Sequence, residues 1–539
     1  MLATAALDAI HIGNGHVPTL PANLTPERLR DLARIATYAP DDLARERLTV
    51  RAPFTGETVA SLPAAAPADV QAAFAQAREA QAAWAARPYA ERARIAERFH
   101  DLVLDRHEQA LDLIQLESGK TRYDAFQEVG DVAVVSRYYA YHGEKALARS
   151  VRPGFMPLLT QVEVNRLPLG VVGIIAPWNY PLTMAITDAI PALLAGNAVV
   201  VKPAELTPFT ALWAAALLLE AGLPEGLLHV VPGSGEALGE TLLDASDFVH
   251  FTGSTEVGRL IARQAGERLI GASLELGGKN PLLVLDDADL GKATEGAVRA
   301  CFSSAGQLCI AAERLYVDRA VFDDFLDRFR YRIEALTIGA GYDWATEMGS
   351  LVSQEQLDKV TEHVEDALSK GATLVTGGHP LPHLGPYFYA PTVLTDVTPE
   401  MTLFREETFG PVVAVYPFDT DAEAVALAND SPYGLNASVW TRDTRRGRAL
   451  ARQIRCGTVG VNDPYMAAWG STAAPMGGFG DSGQGRRHGA YGIQKYTEPQ
   501  TVATQHLLPI APLAGMAAGA FAGTLIGAFK VIRRLPGLR

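Results

Sequence analysis

Cysteine is scarce in this chain of 539 residues: Cys301, Cys309 and Cys456 are all it has. Three thiols cannot build a disulfide framework, and no Cys/His cluster has metal-ligand spacing, so neither a disulfide-stapled domain nor a metal site is expected. Positive charge is in deficit too. Lys and Arg number 47 against 61 Asp and Glu, a formal charge of −14, which argues against a nucleic-acid partner and its basic footprint. The first basic residue is Arg28; a secretory signal would start with positive charge. Together with the few cysteines, this predicts a reducing, cytoplasmic setting.

What is present suits a globular protein: 48% hydrophobic and 20% charged residues. The length exceeds what one core supports, since single cores stop growing at roughly 250–300 residues. Residues 1–22 read as an arm of low order, and Thr25-Pro26-Glu27 then reads as a helix start, with an N-cap, a proline and an acidic first turn. Alanine-rich helical patterns fill 68–148. From 167 the texture changes to short apolar strand runs, Val171–Ala176, Ala198–Val201, Leu227–Val231 and Asp247–Thr252, separated by helical segments at 206–221 and 235–243. That alternation predicts a parallel, doubly wound sheet. A second alternation over 282–480, with strands near 282–286, 313–317, 373–376, 411–416 and 458–461, predicts a second α/β domain. No internal repeat is visible.

Cys309 closes Phe302-Ser303-Ser304-Ala305-Gly306-Gln307-Leu308-Cys309, and Glu275 opens Glu275-Leu276-Gly277-Gly278-Lys279-Asn280-Pro281. A thiolate is a strong nucleophile for a carbonyl, and a positioned glutamate can activate water to release the acyl group. A buried structural cysteine is the usual fate of an intracellular thiol, and that suits Cys301 and Cys456. These two motifs resemble those of the aldehyde dehydrogenase superfamily, in particular a bacterial succinate-semialdehyde dehydrogenase-like branch. The likeness runs from about Val50 to Gln505 and includes Pro177-Trp178-Asn179-Tyr180-Pro181, Phe251–Gly258 and Glu406-Glu407-Thr408-Phe409-Gly410-Pro411.

The resemblance implies an NAD(P)-binding domain over 23–148 and 168–278 and a catalytic thiol domain over 279–484. It implies an oligomerisation arm of 149–167 with 485–506, in a homodimer or homotetramer. It makes Cys309 the nucleophile, Glu275 the general base and Asn179 an oxyanion donor beside the Cys309 N–H. It places the cofactor against Ile175, Pro177, Trp178, Lys202, Glu205, Gly233, Gly253, Ser254, Glu407 and Phe409. The Gly253–Gly258 spacing is neither a GxGxxG fingerprint nor a P-loop, although a helix start there suits a pyrophosphate. A carboxylate at 205 accepts ribose hydroxyls and repels a 2′-phosphate, which favours NAD, while Lys202 leaves NADP open.

The aldehyde itself is less determined. Members of the branch with established succinate-semialdehyde activity carry arginines where this chain has Thr187 and Ser303, and Asp188 nearby has the wrong sign. Candidate pocket residues Tyr180, Met184, Tyr465, Trp469 and Met476 are mostly apolar, which opens a medium- or long-chain aldehyde as the rival substrate. A preference for a carboxylated aldehyde would need another cation, Arg486 or Arg487. A non-catalytic relative would be expected to lose Cys309 or Glu275, and a CoA-acylating one lacks the glutamate; both residues are intact.

Residues 507–529 carry no charge, and Gly515, Gly519, Gly523 and Gly527 recur every four residues ahead of Lys530, Arg533, Arg534 and Arg539. Small-xxx-small spacing and a basic flank suggest membrane contact through 512–534, on the cytoplasmic face, by a helix starting near Pro512. The competing expectation is a helix docked on protein through its glycine face.

Overall fold

The computed structural model describes residues 20–21, 23–38, 45–156, 159–506 and 509–534; the arm expected over 1–22 and the end of the basic flank at Arg539 fall largely outside these. Thr25 caps the first helix, Pro26–Ala33, by accepting a hydrogen bond from the Arg28 N–H at 3.1 Å. After a small antiparallel pair, Arg47–Arg51 with Thr58–Pro63, four helices, Pro67–Ala85, Tyr89–Asp105, His107–Ser118 and Arg122–Leu147, precede the first large sheet.

That sheet is α/β and parallel, as expected. Its strands run in the spatial order 271–275, 248–252, 171–175, 198–202, 228–230, with Gly483–Gln484 antiparallel on the 271–275 edge. Val171–Ile175 and Ala198–Lys202 are buried at every position, which is why they read as unbroken apolar runs rather than alternating ones. The chain steps from 171–175 outward to 228–230, then returns to the other side at 248–252. The carboxyl ends of 171–175 and 248–252 therefore flank a topological switch point, where ligands bind in such sheets.

The second sheet has seven strands, ordered 373–376, 392–395, 412–418, 312–318, 280–284, 436–440, 458–461, all parallel except the 373–376 edge. Two of these strands, Thr392–Thr395 and Asn436–Trp440, were not apparent in the sequence. Asn436 and Ser438 are polar yet buried, and each bonds to loop carbonyls beyond the sheet, Asn436 to Ile310 and Pro464 and Ser438 to Asp463. The small third sheet joins Ser150–Pro153, Thr160–Pro168 and Thr497–Gln505, the last two paired over nine residues.

The tail differs from expectation. Its helix is Ala518–Ile532, 15 residues, beginning after Gly515 at φ +86° and not at Pro512. It is about 22 Å long at 1.5 Å per residue, against about 30 Å of bilayer core. Among the described residues, no helix is long and apolar enough to cross a membrane. The glycine stripe does not pack on the body of this chain: a Cβ added at Gly519, Gly523 or Gly527 would meet nothing within 4 Å. Phe529 instead makes an edge contact with Phe155, centroids 5.5 Å apart.

One buried ion pair joins the helical layer to the first sheet. The Lys120 ammonium donates to Glu128 at 2.7 Å and to the Asn179 carbonyl at 2.6 Å, and lies 3.6 Å above the Tyr180 ring. The second Glu128 oxygen accepts the N–H groups of Leu182 and Thr183, at 2.9 and 3.0 Å. Burial pushes the Glu128 carboxyl upward, and Lys120 opposes this. Breaking such a pair costs roughly 3–5 kcal/mol, because one charge stays buried alone. Lys120→Met should therefore lower the unfolding free energy by about that amount in urea titration, and adding Glu128→Met should recover part of it. A single-variant loss below about 1 kcal/mol would show that the pair holds nothing in place.

Candidate active site

Cys309 lies on the loop between helix Leu290–Phe302 and strand Ala312–Asp318. That loop passes through three left-handed residues in a row, Ser304 at φ 52°, Ala305 at 53° and Gly306 at 73°. For non-glycine residues this conformation costs roughly 1 kcal/mol or more and survives where surroundings impose it. Here they do. The Ser304 N–H donates to Asp124 at 2.9 Å, and Gln307 donates to the Ser304 and Ser350 carbonyls and accepts from the Val352 N–H. Asn179 donates to the Gln307 carbonyl at 3.0 Å, and Asn280 to the Cys309 carbonyl at 2.7 Å. Glycine is needed twice: a Cβ on Gly306 would lie 2.0 Å from the Gly410 oxygen, and one on Gly278 2.6 Å from the Cys309 oxygen.

Glu275 is the last residue of strand Gly271–Glu275, between Thr252 and Gly483. Its Oε1 is buried without a hydrogen-bond partner. Burial pushes its carboxyl up to about 7, partly opposed by Arg487 and Lys495. Cys309 and Glu275 line one cavity, closed by Thr252, Leu308, Ile310 and Leu435. The other wall holds Met184, Trp469, Met476 and Arg487. Burial, then the Glu407 and Glu275 carboxylates, push the Cys309 thiol up to about 12. Tyr180 is not on this wall. It is fully buried behind it, with Trp469 edge-on at 5.6 Å and its hydroxyl bonded to Ser304 at 3.2 Å. Tyr465 is likewise buried and donates to Ser303 at 2.9 Å.

Asp188 does not face the cavity as a stray negative charge. It anchors a buried cluster: Arg487 Nε at 2.8 Å, Lys495 at 2.8 Å, the Tyr496 hydroxyl at 2.8 Å and His250 at 3.1 Å. These partners hold its carboxyl well below the usual range despite burial. His250 is pushed down to about 4 by burial. Of the two candidate cations, Arg487 reaches the cavity, whereas Arg486 donates to the Gly478 and Gly485 carbonyls and stacks over Phe479. Thr187, a position that lacks the expected arginine, accepts a hydrogen bond from Arg487 Nη2. The cluster was hidden in the sequence because its members span Asp188 to Tyr496.

The remaining predicted residues collect at the carboxyl ends of the first sheet. Ile175 ends its strand, Pro177 and Trp178 follow, and Trp178 meets Phe409 edge-on at 5.6 Å. The Lys202 ammonium donates to the Pro203 and Gly233 carbonyls at 3.0 and 2.9 Å and lies 3.4 Å from the half-exposed Glu205. Ser254 caps the helix Thr255–Glu267, and the Gly253 N–H donates to the Glu275 carbonyl at 3.1 Å. Glu407 is held by the Gly278 N–H at 2.7 Å. Neighbouring Thr408 and Phe409 are pinned through their N–H groups by buried Glu313, which also pairs with Lys279 at 2.5 Å. Sequence reasoning missed Glu313, Lys279 and Lys120; nothing local distinguishes them from surface charges. A half-exposed carboxylate beside a fixed ammonium, a capped helix start and a carboxylate held by the Gly278 N–H suit the two riboses and diphosphate of a dinucleotide.

The aldehyde dehydrogenase family profile matches residues 39–502. A Mycolicibacterium smegmatis protein bearing the provisional name succinate-semialdehyde dehydrogenase (NADP(+)) is 50% identical over 509 residues, covering 94% of this chain and 98% of its own. The crystal structure of an aldehyde dehydrogenase from Brucella melitensis biovar abortus 2308 superposes with a TM-score of 0.85 at 34% identity, covering 91% of this chain and all of that one. Betaine aldehyde dehydrogenase from Staphylococcus aureus, crystallised with NAD+, gives a TM-score of 0.83 at 31% identity, over 89% of this chain and 98% of its own. The chain belongs to the aldehyde dehydrogenase family.

Proposed function

We propose that this enzyme oxidises an aldehyde to a carboxylic acid by covalent catalysis at Cys309, with NAD or NADP as the electron acceptor. The observation that carries the reading is the shared cavity of Cys309 and Glu275 at the mouth of the dinucleotide crevice. The thiol sulfur adds to the aldehyde carbon. Its proton must leave a group held near 12, and Glu275, at about 7, is the neighbouring base that can take it. The oxyanion meets the Cys309 N–H and the Asn179 amide; one amide hydrogen is committed to Gln307, leaving the other. A nicotinamide dinucleotide held by Lys202, Glu205, Ser254 and Glu407 would supply the acceptor for the hydride that leaves the substrate carbon. Once it has passed the thiol proton to solvent, Glu275 deprotonates the water that attacks the thioester carbon; the C–S bond breaks, and the departing thiolate takes that proton back as the acid is freed.

For the substrate we infer succinate semialdehyde. The name of the Mycolicibacterium relative supports this, as does a guanidinium on the cavity wall. Met184, Trp469 and Met476 favour a second reading, an uncharged medium- or long-chain aldehyde. NADH formation with succinate semialdehyde against a C4-to-C14 series of plain aldehydes decides between them.

Two outcomes follow. Activity should rise with pH through about 7, as Glu275 loses its proton, and level off above that. Glu275→Gln should cut turnover by about 10²–10⁴-fold and slow the first burst of NADH as well, because the same carboxyl takes the thiol proton and activates the water; an undiminished burst would remove Glu275 from the thiol step. The Glu205 carboxylate should disfavour a 2′-phosphate, so kcat/KM with NAD should exceed that with NADP. Glu205→Ser should improve NADP use about tenfold, a change of roughly 1.4 kcal/mol. An unchanged cofactor ratio would remove Glu205 from cofactor choice.

A further inference from the structure

We propose that Arg487 is the carboxylate-recognising residue of the substrate site, supplying from the C-terminal segment the cation absent at Thr187 and Ser303. This rests on the reading of the substrate as a short aldehyde bearing a carboxylate. Three observations carry it.

The first is position. Arg487 lines the cavity that contains Cys309 and Glu275, and among the described residues that line it no other is a cation. A two-way backbone bridge fixes it there: Met476 N–H to Arg487 O at 2.9 Å and Arg487 N–H to Met476 O at 2.7 Å. Met476 is itself part of the wall, so guanidinium and wall move as one piece.

The second is hydrogen bonding. The Arg487 Nε lies 2.8 Å from the Asp188 carboxylate. Its two terminal nitrogens have neighbours of their own. Nη2 donates to the Thr187 hydroxyl, and Nη1 meets the thioether sulfur of Met184 at 3.1 Å. A guanidinium has five N–H donors, and a thioether is a weak acceptor. With a thioether and a single hydroxyl as the hydrogen-bond acceptors of its terminal nitrogens, the guanidinium has donor capacity to spare beside the cavity, and a carboxylate matches its planar fork.

The third is charge. Asp188 carries one firm negative charge and is flanked by two cations, Arg487 and Lys495. His250, at about 4, adds none near neutrality. One positive charge is left over. The remaining carboxyls near it, Asp131 and Glu275, are both pushed by burial to about 7 and are poor permanent partners. An anionic substrate completes the count at the position where Arg487 meets the cavity.

The geometry also explains why Thr187 is small. Its hydroxyl accepts from Arg487 and donates to the Thr183 carbonyl at 2.7 Å, so it orients the guanidinium instead of bearing the charge itself.

The test is the ratio of kcat/KM for succinate semialdehyde to that for butanal, two aldehydes of equal carbon count. Arg487→Met should collapse this preference by about 30-fold or more, chiefly through KM for the charged substrate. Arg487→Lys, which keeps the charge and loses the fork, should lose about tenfold. Adding Thr187→Arg to Arg487→Met should restore part of the preference. The proposal is overturned if the preference survives in both Arg487 variants while kcat falls for both aldehydes and the pH limb near 7 moves, since Arg487 would then be serving Glu275. A wild-type enzyme with no preference for the charged aldehyde overturns the substrate reading as well, so the two failures are distinguishable. Should Arg487→Met fail to fold, Arg487→Lys alone gives the same discrimination.

Discussion

Between the end of strand Gly271–Glu275 and the start of Asn280–Val284 lie residues 276–279, and the two large sheets are joined across them. So short a span cannot hold the sheets apart. It forces the last residue of one sheet edge, Glu275, against the loop that carries Cys309 in the other half. Each of the last three span residues is used at close quarters. Gly277 leaves room for the Glu407 carboxylate, which a Cβ would approach to 2.4 Å; Gly278 leaves room for the Cys309 carbonyl and donates to Glu407. Lys279 engages Glu313. The proposed base, the thiol loop and the expected ribose contact are registered to one another by this stretch of backbone.

The buried carboxylates of the chain divide into two kinds. Glu117 accepts from Phe209 and Thr210, Glu128 from Lys120, Leu182 and Thr183, and Glu313 from Lys279, Thr408 and Phe409. Each offsets its lost hydration with charge-assisted hydrogen bonds and so fixes a helix start or a turn. Glu275 is of the other kind. It is as deeply placed, yet Oε1 is left bare. An orphaned buried acceptor is expensive in a resting fold, and its retention next to a thiol is what a proton-transfer role requires.

Much of this was legible in the sequence, where the chemistry is local. Fully buried strands show as apolar runs, and the glycines around Glu275 and Cys309 mark close backbone approach. Legibility failed where a residue acts through distant partners. Strand Asn436–Trp440 hides behind polar residues that bond outside their own sheet. Tyr180 resembles a pocket aromatic, but Lys120 and Trp469 hold it behind the wall. Arg487 is adjacent to Arg486 in the chain and opposite to it in role, a difference set by Asp188, some 300 residues away. The tail pattern was read as one helix from Pro512, but Gly515 in a left-handed conformation delays its start.

The Asp188 cluster draws three of its four partners from a single stretch. Arg487, Lys495 and Tyr496 converge on one carboxylate, and the next residue, Thr497, begins the strand that pairs with Thr160–Pro168 in the three-stranded arm. The ruler for the cavity and the ruler for the arm are thus ruled on the same edge. An insertion or deletion between 487 and 497 cannot be absorbed by either one alone, and the two must diverge together when such chains drift apart.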